Sequence, residues 1–151
     1  MFFMPSTHLS LNYHLIFSTK HRETWIASSW RDRLHGYMGG VIKGMNGVPL
    51  AVGGVSDHVH LLVGLRATCA IADVLRELKS ESSRWVHETP RIPGFAWQEG
   101  YAAITVSPSQ IEDVRKYVLQ QEEHHRTRTF QEEYREFLLK CGIEFDEKYL
   151  W

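Results

Sequence analysis

The sequence lacks the features that mark disulfide scaffolds, membrane spans and nucleoside-triphosphate sites. Its 151 residues include two cysteines, Cys69 and Cys141, which form no Cys-x-x-Cys motif, so we expect a reducing, cytoplasmic environment. No apolar run approaches the roughly 20 residues that cross a membrane. The first residues, 1–5, lack the basic start of a signal peptide. A GxxxxGK[ST] phosphate loop is also absent, which fits chemistry without ATP.

A strong net charge is missing as well. The formal net charge is −1 at pH 7, so the chain is not a uniformly basic nucleic-acid binder, and any basic surface must be local. Hydrophobic residues make up 43% and charged residues 23% of the sequence, as is ordinary for a globular protein. Because no repeat, low-complexity segment or linker interrupts the chain, we expect residues 1–151 to form one domain.

The hydrophobic patterns predict the element order β-α-β-β-α-β, followed by two further helices. The predicted strands cover about residues 11–18, 48–55, 58–63 and 95–106. The predicted helices cover about 28–45, 70–87, 107–125 and 130–140, with Ser28 or Ser29 capping the first and Ser107 the third. This order predicts an α+β fold, a ferredoxin-like (RRM-like) split antiparallel sheet with two additional C-terminal helices. We expect helices on one sheet face and an open second face.

Two histidines, His58 and His60, stand one residue apart in the third predicted strand. Side chains alternate along a strand, so both rings point to one face, with Cα atoms about 6.5–7 Å apart. Two imidazoles at that distance can bind one metal ion, although an isolated pair is more often structural. Val59 and Leu61 should then face the helices.

The third predicted helix adds Tyr117 and Gln121, four residues apart and therefore on one helix face. The commoner fate of such a pair is a half-buried tyrosine beside a solvated glutamine. The functional alternative is a nucleophile with an amide oxygen one turn away, a weak but acceptable ligand for Mg²⁺ or Mn²⁺. The packing stripe of this helix is predicted at Ile111, Val114, Val118 and Leu119.

Taken together, these patterns resemble a known family over nearly the whole chain. The matching stretches are residues 17–22, 57–62, 78–84, 97–125 and the tail 142–151. They resemble the single-tyrosine transposases of the smallest bacterial insertion sequences, which are HUH (histidine-hydrophobe-histidine) endonucleases, and their domesticated relatives associated with repetitive extragenic palindromes (REP). The His-x-His motif alone is unspecific. Joined to Tyr-x-x-x-Gln after four strands, it becomes specific.

The resemblance implies a reaction and a set of site residues. His58, His60 and Gln121 would bind one divalent ion, Mg²⁺ or Mn²⁺, with Zn²⁺ possible in vitro. Tyr117 would attack single-stranded DNA, forming a 5′-phosphotyrosine and releasing a 3′-hydroxyl that can later rejoin strands. Family members recognise DNA hairpins, so a subterminal or REP hairpin is the implied partner.

The resemblance also implies a homodimer. The tyrosine helix commonly packs on the partner subunit in this family, and the sequence leaves open whether Tyr117 serves its own subunit or the partner. His124 and His125 are candidates for further metal ligands, but we interpret them as surface or fold residues, because they lie about one turn beyond Gln121.

Contacts to DNA require local cations, because the net charge is near neutral. Each candidate is equally well explained as an ordinary solvated charge, and acidic residues in the final helix offset the basic ones. The candidate cations are Lys20, Arg22, Lys79 and Arg84, and the acidic residues are Glu132, Glu133 and Glu136.

Two other functions stay open. A non-catalytic nucleic-acid-binding module with an RRM-like sheet would use exposed aromatic residues, and the central strands carry no clear set of these. A metal-dependent hydrolase of small phosphates would need an acidic ligand cluster, which the sequence lacks. The sequence therefore predicts a metal-dependent single-stranded DNA transposase.

Overall fold

The computed structural model describes residues 7–126 and 128–147. Its strands are β1 (Asn12–Ser18), β2 (Val48–Gly54), β3 (His58–Gly64) and β4 (Ala102–Thr105). They form an antiparallel sheet in the order β2-β3-β1-β4. The helices are α1 (Ser28–Gly44), α2 (Ile71–Glu88), α3 (Ile111–Leu119), α4 (Gln121–His124) and α5 (Phe130–Lys140), with 3₁₀ turns at Lys20–Arg22 and Pro108–Gln110. The predicted α+β, ferredoxin-like order is confirmed.

The first face of the sheet is covered by α1 and α2. Alternate residues of the central strands, including Leu15 of β1 and Val59 and Leu61 of β3, are buried against apolar residues of these helices. Burying a side chain of this size contributes about 1.5–3 kcal/mol, so this layer is the main core. The predicted direction of Val59 and Leu61 is confirmed.

The prediction of an open second face is wrong, because α3 and α5 cover it. Val118 of α3 packs on Ala51 and Leu62, and Phe130 of α5 packs on Ile16. The alternation that turns the histidines to this face also turns Ile16 and Leu62 there, and these apolar side chains require cover. The histidines on this face therefore lie in an enclosed site.

The fourth strand is shorter than the predicted 95–106. Phe95 and Trp97 are buried in the first core layer, and Trp97 forms an isolated bridge with Thr19. The chain then turns through Gly100 at φ 88°, a left-handed value that glycine adopts readily. Only after this turn does β4 pair with β1, so half of the apolar run serves packing rather than the sheet.

The predicted helix 107–125 is divided by a break at Gln120. The backbone of Gln120, at φ −106° and ψ 30°, separates α3 from α4. Leu119, beside the break, is 54% exposed and does not join the packing stripe, whereas Ile111, Val114 and Val118 do. Ser107 takes the predicted cap position, before the 3₁₀ turn that leads into α3, but makes no side-chain capping bond. The predicted cap of the first helix is wrong, because Ala27 takes that position before Ser28.

Strand β2 and helix α3 meet at Gly53. A Cβ atom placed there would lie 1.9 Å from the carbonyl oxygen of Val118, so only glycine allows this approach. The contact fixes α3 on the sheet. Among the described residues, no helix is both long and apolar enough to cross a membrane. Residues 1–5 and 148–151, which bear on the predicted lack of a signal peptide and on the tail, lie outside the described residues.

Candidate active site

The two histidines lie on the enclosed face of the sheet. His58 and His60 are 0% and 1% exposed, and their ring centroids are 5.1 Å apart. His58 pairs with Ser18 in the antiparallel register of β3 with β1, so the site lies at the sheet end where β1 finishes. The strand alternation predicted from sequence has placed both rings together.

Each histidine ring is held through its Nδ1 atom. His58 Nδ1 lies 2.7 Å from Asp57 Oδ1, and His60 Nδ1 lies 2.8 Å from His14 Nε2. A carboxylate only accepts, so His58 Nδ1–H donates to Asp57 and its Nε2 faces the site. Burial lowers the pKa of His60 to about 4 and the pKa of His14 well below its usual value. Both rings are therefore neutral, and His60 Nδ1–H can donate to His14.

Gln121 closes one side of the site. Its Nε2 donates to the carbonyl of Tyr117 at 2.9 Å, which turns its Oε1 toward His58 Nε2 at 3.3 Å. With Nδ1–H of His58 given to Asp57, both facing atoms are acceptors, an arrangement that a cation between them would relieve. Gln121 is 1% exposed, which excludes the solvated glutamine considered above.

Tyr117 of α3 belongs to the same cluster. Its ring centroid lies 5.6 Å from that of His60 in the same chain, and its hydroxyl donates to the carboxylate of Glu133. Burial is the larger cause that raises the pKa of Tyr117 above its usual value, and the contact with Glu133 raises it further. The hydroxyl is therefore protonated at neutral pH, and activation requires added positive charge nearby.

Glu133 and His125 lie in the site, although the sequence predicts only an acidic charge for Glu133 and a surface or fold residue for His125. The two Glu133 oxygens lie 2.7 Å from His125 Nε2 and 3.4 Å from His60 Nε2. Burial would raise the pKa of Glu133, but contacts with these histidines lower it well below its usual range. Burial would lower the pKa of His125, but the contact with Glu133 raises it. The pair is ionised.

The spacing of Glu133 in the sequence indicates that it is buried. Glu133 lies three residues after Phe130 and four before Phe137, so it belongs to the apolar stripe of α5. A carboxylate on such a stripe is unusual unless it is paired. His125 offered no comparable signal. The interpretation of His125 as a surface or fold residue misses its place beside Glu133 and 4.6 Å, ring to ring, from His58.

The residues present fit the divalent ion that the resemblance implies. Ligand atoms of His58, His125 and Glu133 lie within 4.8 Å of one another. His60 Nε2 is buried and has no hydrogen-bond partner in the part of the chain that the structure describes. His60 Nε2 lies 3.4 Å from Glu133, and His58 Nε2 lies 3.3 Å from Gln121 Oε1, so these side chains could hold a divalent ion among them.

Two of the predicted DNA-binding cations lie at this end of the sheet. Lys20 and Arg22 occupy the 3₁₀ turn that follows β1 directly, beyond the residue that pairs with His58. Lys20 is exposed and Arg22 is half-buried. Cations in this place can meet the backbone of a strand entering the site.

The other two predicted cations lie on α2, on the far side of the sheet. Lys79 donates to the carbonyls of Gln98 at 2.8 Å and of Gly100, and burial lowers its pKa. Arg84 is exposed and paired with Glu81 on the same helix. Both side chains are therefore held by contacts within the protein.

The fold and the site define an α+β protein with a buried histidine pair facing a tyrosine of the same chain. Residues 7–121 match the family model described as IS200-like transposase. Over 116 residues the chain is 30% identical to the ISDra2 transposase TnpA of Deinococcus radiodurans, covering 72% of this chain and 81% of that protein. The chain belongs to the IS200-like transposase family, and the resemblance predicted from sequence is confirmed.

Solved structures agree with this assignment. A provisionally assigned transposase from Deinococcus radiodurans R1 is similar with a TM-score of 0.62 and 26% identity, over 78% of this chain and 95% of that chain. A REP-associated tyrosine transposase bound to a REP hairpin shares the fold, with a TM-score of 0.52 and 13% identity. The match covers 76% of this chain and 68% of that chain. Family membership supports an enzyme of DNA cleavage and transfer.

Proposed function

We propose that the protein is a metal-dependent, single-stranded DNA transposase that recognises hairpins and cleaves by tyrosine attack. Tyr117 is the nucleophile, and His58, His60 and Gln121 bind one Mg²⁺ or Mn²⁺. The observation that carries the proposal is that Tyr117 lies beside two buried histidine rings within one enclosed site. We further propose that residues 1–151 form one domain and that the protein acts as a homodimer.

The proposed reaction conserves the energy of the phosphodiester. Tyr117 Oη bonds to phosphorus while the bond from phosphorus to the 3′-oxygen breaks; the phenol loses its proton and the leaving oxygen gains one. The products are a 5′-phosphotyrosine and a 3′-hydroxyl, which can reverse the step without ATP. When bound, the divalent ion supplies the positive charge that polarises the phosphate and favours the phenolate. His14 and Asp57 orient the two rings.

The alternative of a non-catalytic RRM-like module has less support. Such modules stack bases on exposed aromatic residues of the sheet. Here the corresponding face carries His14, His58 and His60, all buried beneath the later helices. A binding role through this face would require α5 to leave the sheet.

The proposed function is tested by a covalent adduct assay. The protein is incubated with Mn²⁺ and single-stranded DNA that contains a hairpin from the ends of its own insertion sequence. The products are separated on a denaturing gel. We expect a protein-linked DNA fragment that EDTA prevents. No adduct with any such substrate would favour the binding module.

His58→Ala is expected to lower adduct formation on the order of 100-fold, because it removes a proposed ligand. Hairpin affinity, measured by gel shift without metal, should stay within about twofold. The exposed His8 serves as the matched control, and His8→Ala should change neither quantity. If His58→Ala also abolished hairpin binding, the residue would be structural.

Lys20→Gln is expected to weaken hairpin binding at every salt concentration. Losing one phosphate contact should reduce the slope of log affinity against log salt by about 0.7–0.9. The control is Lys43→Gln, because exposed Lys43 lies at the end of α1, near the opposite end of the sheet. Equal effects of the two substitutions would show only a general charge effect and would count against the basic turn as a contact.

A further inference from the structure

We propose that Glu133 of α5 is a fourth protein ligand of the divalent ion. The inference rests on the proposed metal-dependent function and deepens it. It adds to the centre an anionic ligand from a helix that follows the residues matched by the family model, 7–121. Glu133, which accepts the hydrogen bond of Tyr117, would then also hold the ion.

The positions of the ligand atoms carry the proposal. One oxygen of Glu133 lies 3.4 Å from His60 Nε2, which is buried and has no hydrogen-bond partner among residues 7–126 and 128–147. Glu133 also belongs to the group, with His58 and His125, whose ligand atoms all lie within 4.8 Å of one another. The carboxylate therefore faces the same small space as both histidines of β3.

The chemistry of the ligands favours Glu133 as well. Mg²⁺ and Mn²⁺ prefer oxygen ligands, and the three residues proposed above provide two nitrogens and only one neutral oxygen. A carboxylate supplies the negative charge that offsets a buried dication. His125 holds the other oxygen of Glu133 at 2.7 Å and is itself held by its Nδ1 contact to the Arg128 carbonyl at 2.9 Å.

The burial of Glu133 sets it apart from the other carboxylates of α5. Glu133 is 7% exposed, whereas Glu132 faces solvent and Glu136 pairs with Arg128 near the surface. Burying a carboxylate is costly unless it is paired or binds a metal. Phe130 of the same helix stacks on His58 with ring centroids 4.1 Å apart, so α5 lies directly against the histidine strand.

A ligand from α5 would couple metal binding to the docking of this helix. The described apolar contacts of α5 with the sheet are few and centre on Phe130, Tyr134 and Phe137. A bond from the ion to Glu133 would add an attachment between α5 and β3. We therefore expect Mn²⁺ to slow amide hydrogen exchange in residues 130–140.

The proposal is tested by titrating the full chain with Mn²⁺ in the absence of DNA. Binding is measured by calorimetry or by the EPR signal of free Mn²⁺. Glu133→Gln keeps the size of the side chain and removes its charge, and we expect it to weaken Mn²⁺ affinity by at least about tenfold. Glu132→Gln, the matched control on the same helix, should leave affinity within about twofold. Unchanged or tighter binding by Glu133→Gln would overturn the proposal, because Glu133 would then serve only as a partner of His125 and Tyr117.

Hydrogen exchange in the unaltered protein tests the proposal even if the Glu133→Gln variant does not fold. Exchange in residues 130–140 should slow on adding Mn²⁺, whereas exchange in α2 should not change. No slowing in α5 would overturn the proposal. If the unaltered protein bound no Mn²⁺, the proposed metal-dependent function would itself fail; if His58→Ala lost the ion while Glu133→Gln kept it, only the inference about Glu133 would fail.

Discussion

Tyr117→Phe is expected to abolish the covalent protein–DNA adduct while the protein still folds and binds its hairpin. The substitution removes one oxygen atom, the one proposed to attack phosphorus, and keeps the ring that packs 5.6 Å from His60 and 6.0 Å from His14. Removing a nucleophile typically costs several orders of magnitude in rate, so we expect a loss of at least about 1,000-fold. The measurement is the radiolabelled adduct on a denaturing gel in the presence of Mn²⁺.

The control for this prediction is Tyr37→Phe. Tyr37 of α1 donates to Glu81 at 3.2 Å on the far side of the sheet, so its loss tests the general effect of removing a tyrosine hydroxyl. Adduct formation should be unchanged. An adduct that persisted in Tyr117→Phe would assign the nucleophile to another tyrosine, and Tyr134 on α5, a helix that covers the site, would be the candidate to test.

The parts of the site that could be predicted from sequence are those fixed by local geometry. Alternation along β3 is enough to place His58 and His60 on one face, and four-residue spacing on one helix predicts Gln121 near Tyr117. The second prediction held for a different reason. The helix breaks at Gln120, and Gln121 keeps its place through its bond to the Tyr117 carbonyl.

The parts that could not be predicted depend on contacts between distant segments. Whether a sheet face stays open is decided by how later helices dock, and α5 begins some 70 residues after His58. For that reason the sequence indicates only a surface or fold role for His125 and an ordinary acidic charge for Glu133. The role of His14 cannot be predicted from sequence either, because it depends on the register that places β1 beside β3.

Gly53→Ala is expected to damage both stability and catalysis, although Gly53 lies outside the reactive cluster. Its added Cβ would lie 1.9 Å from the carbonyl oxygen and 2.9 Å from the carbonyl carbon of Val118. These are backbone atoms, so the strain cannot be relieved by rotating a side chain, and α3 must move by about 1 Å or more. Overpacking of this kind costs about 1–3 kcal/mol in the free energy of unfolding.

The catalytic effect follows because Tyr117 precedes Val118 on α3. A displacement of about 1 Å at a reacting group can cost on the order of 100-fold in rate, and the adduct assay should show that loss even where urea denaturation shows a folded majority. The control is Gly40→Ala on α1, where no atom lies within 4 Å of the added Cβ; it should be neutral or stabilise the helix by up to about 1 kcal/mol. If Gly53→Ala lost stability but kept full activity, α3 would have to separate from β2 without moving the nucleophile, and the cleaving state would have a looser contact between strand and helix than this structure.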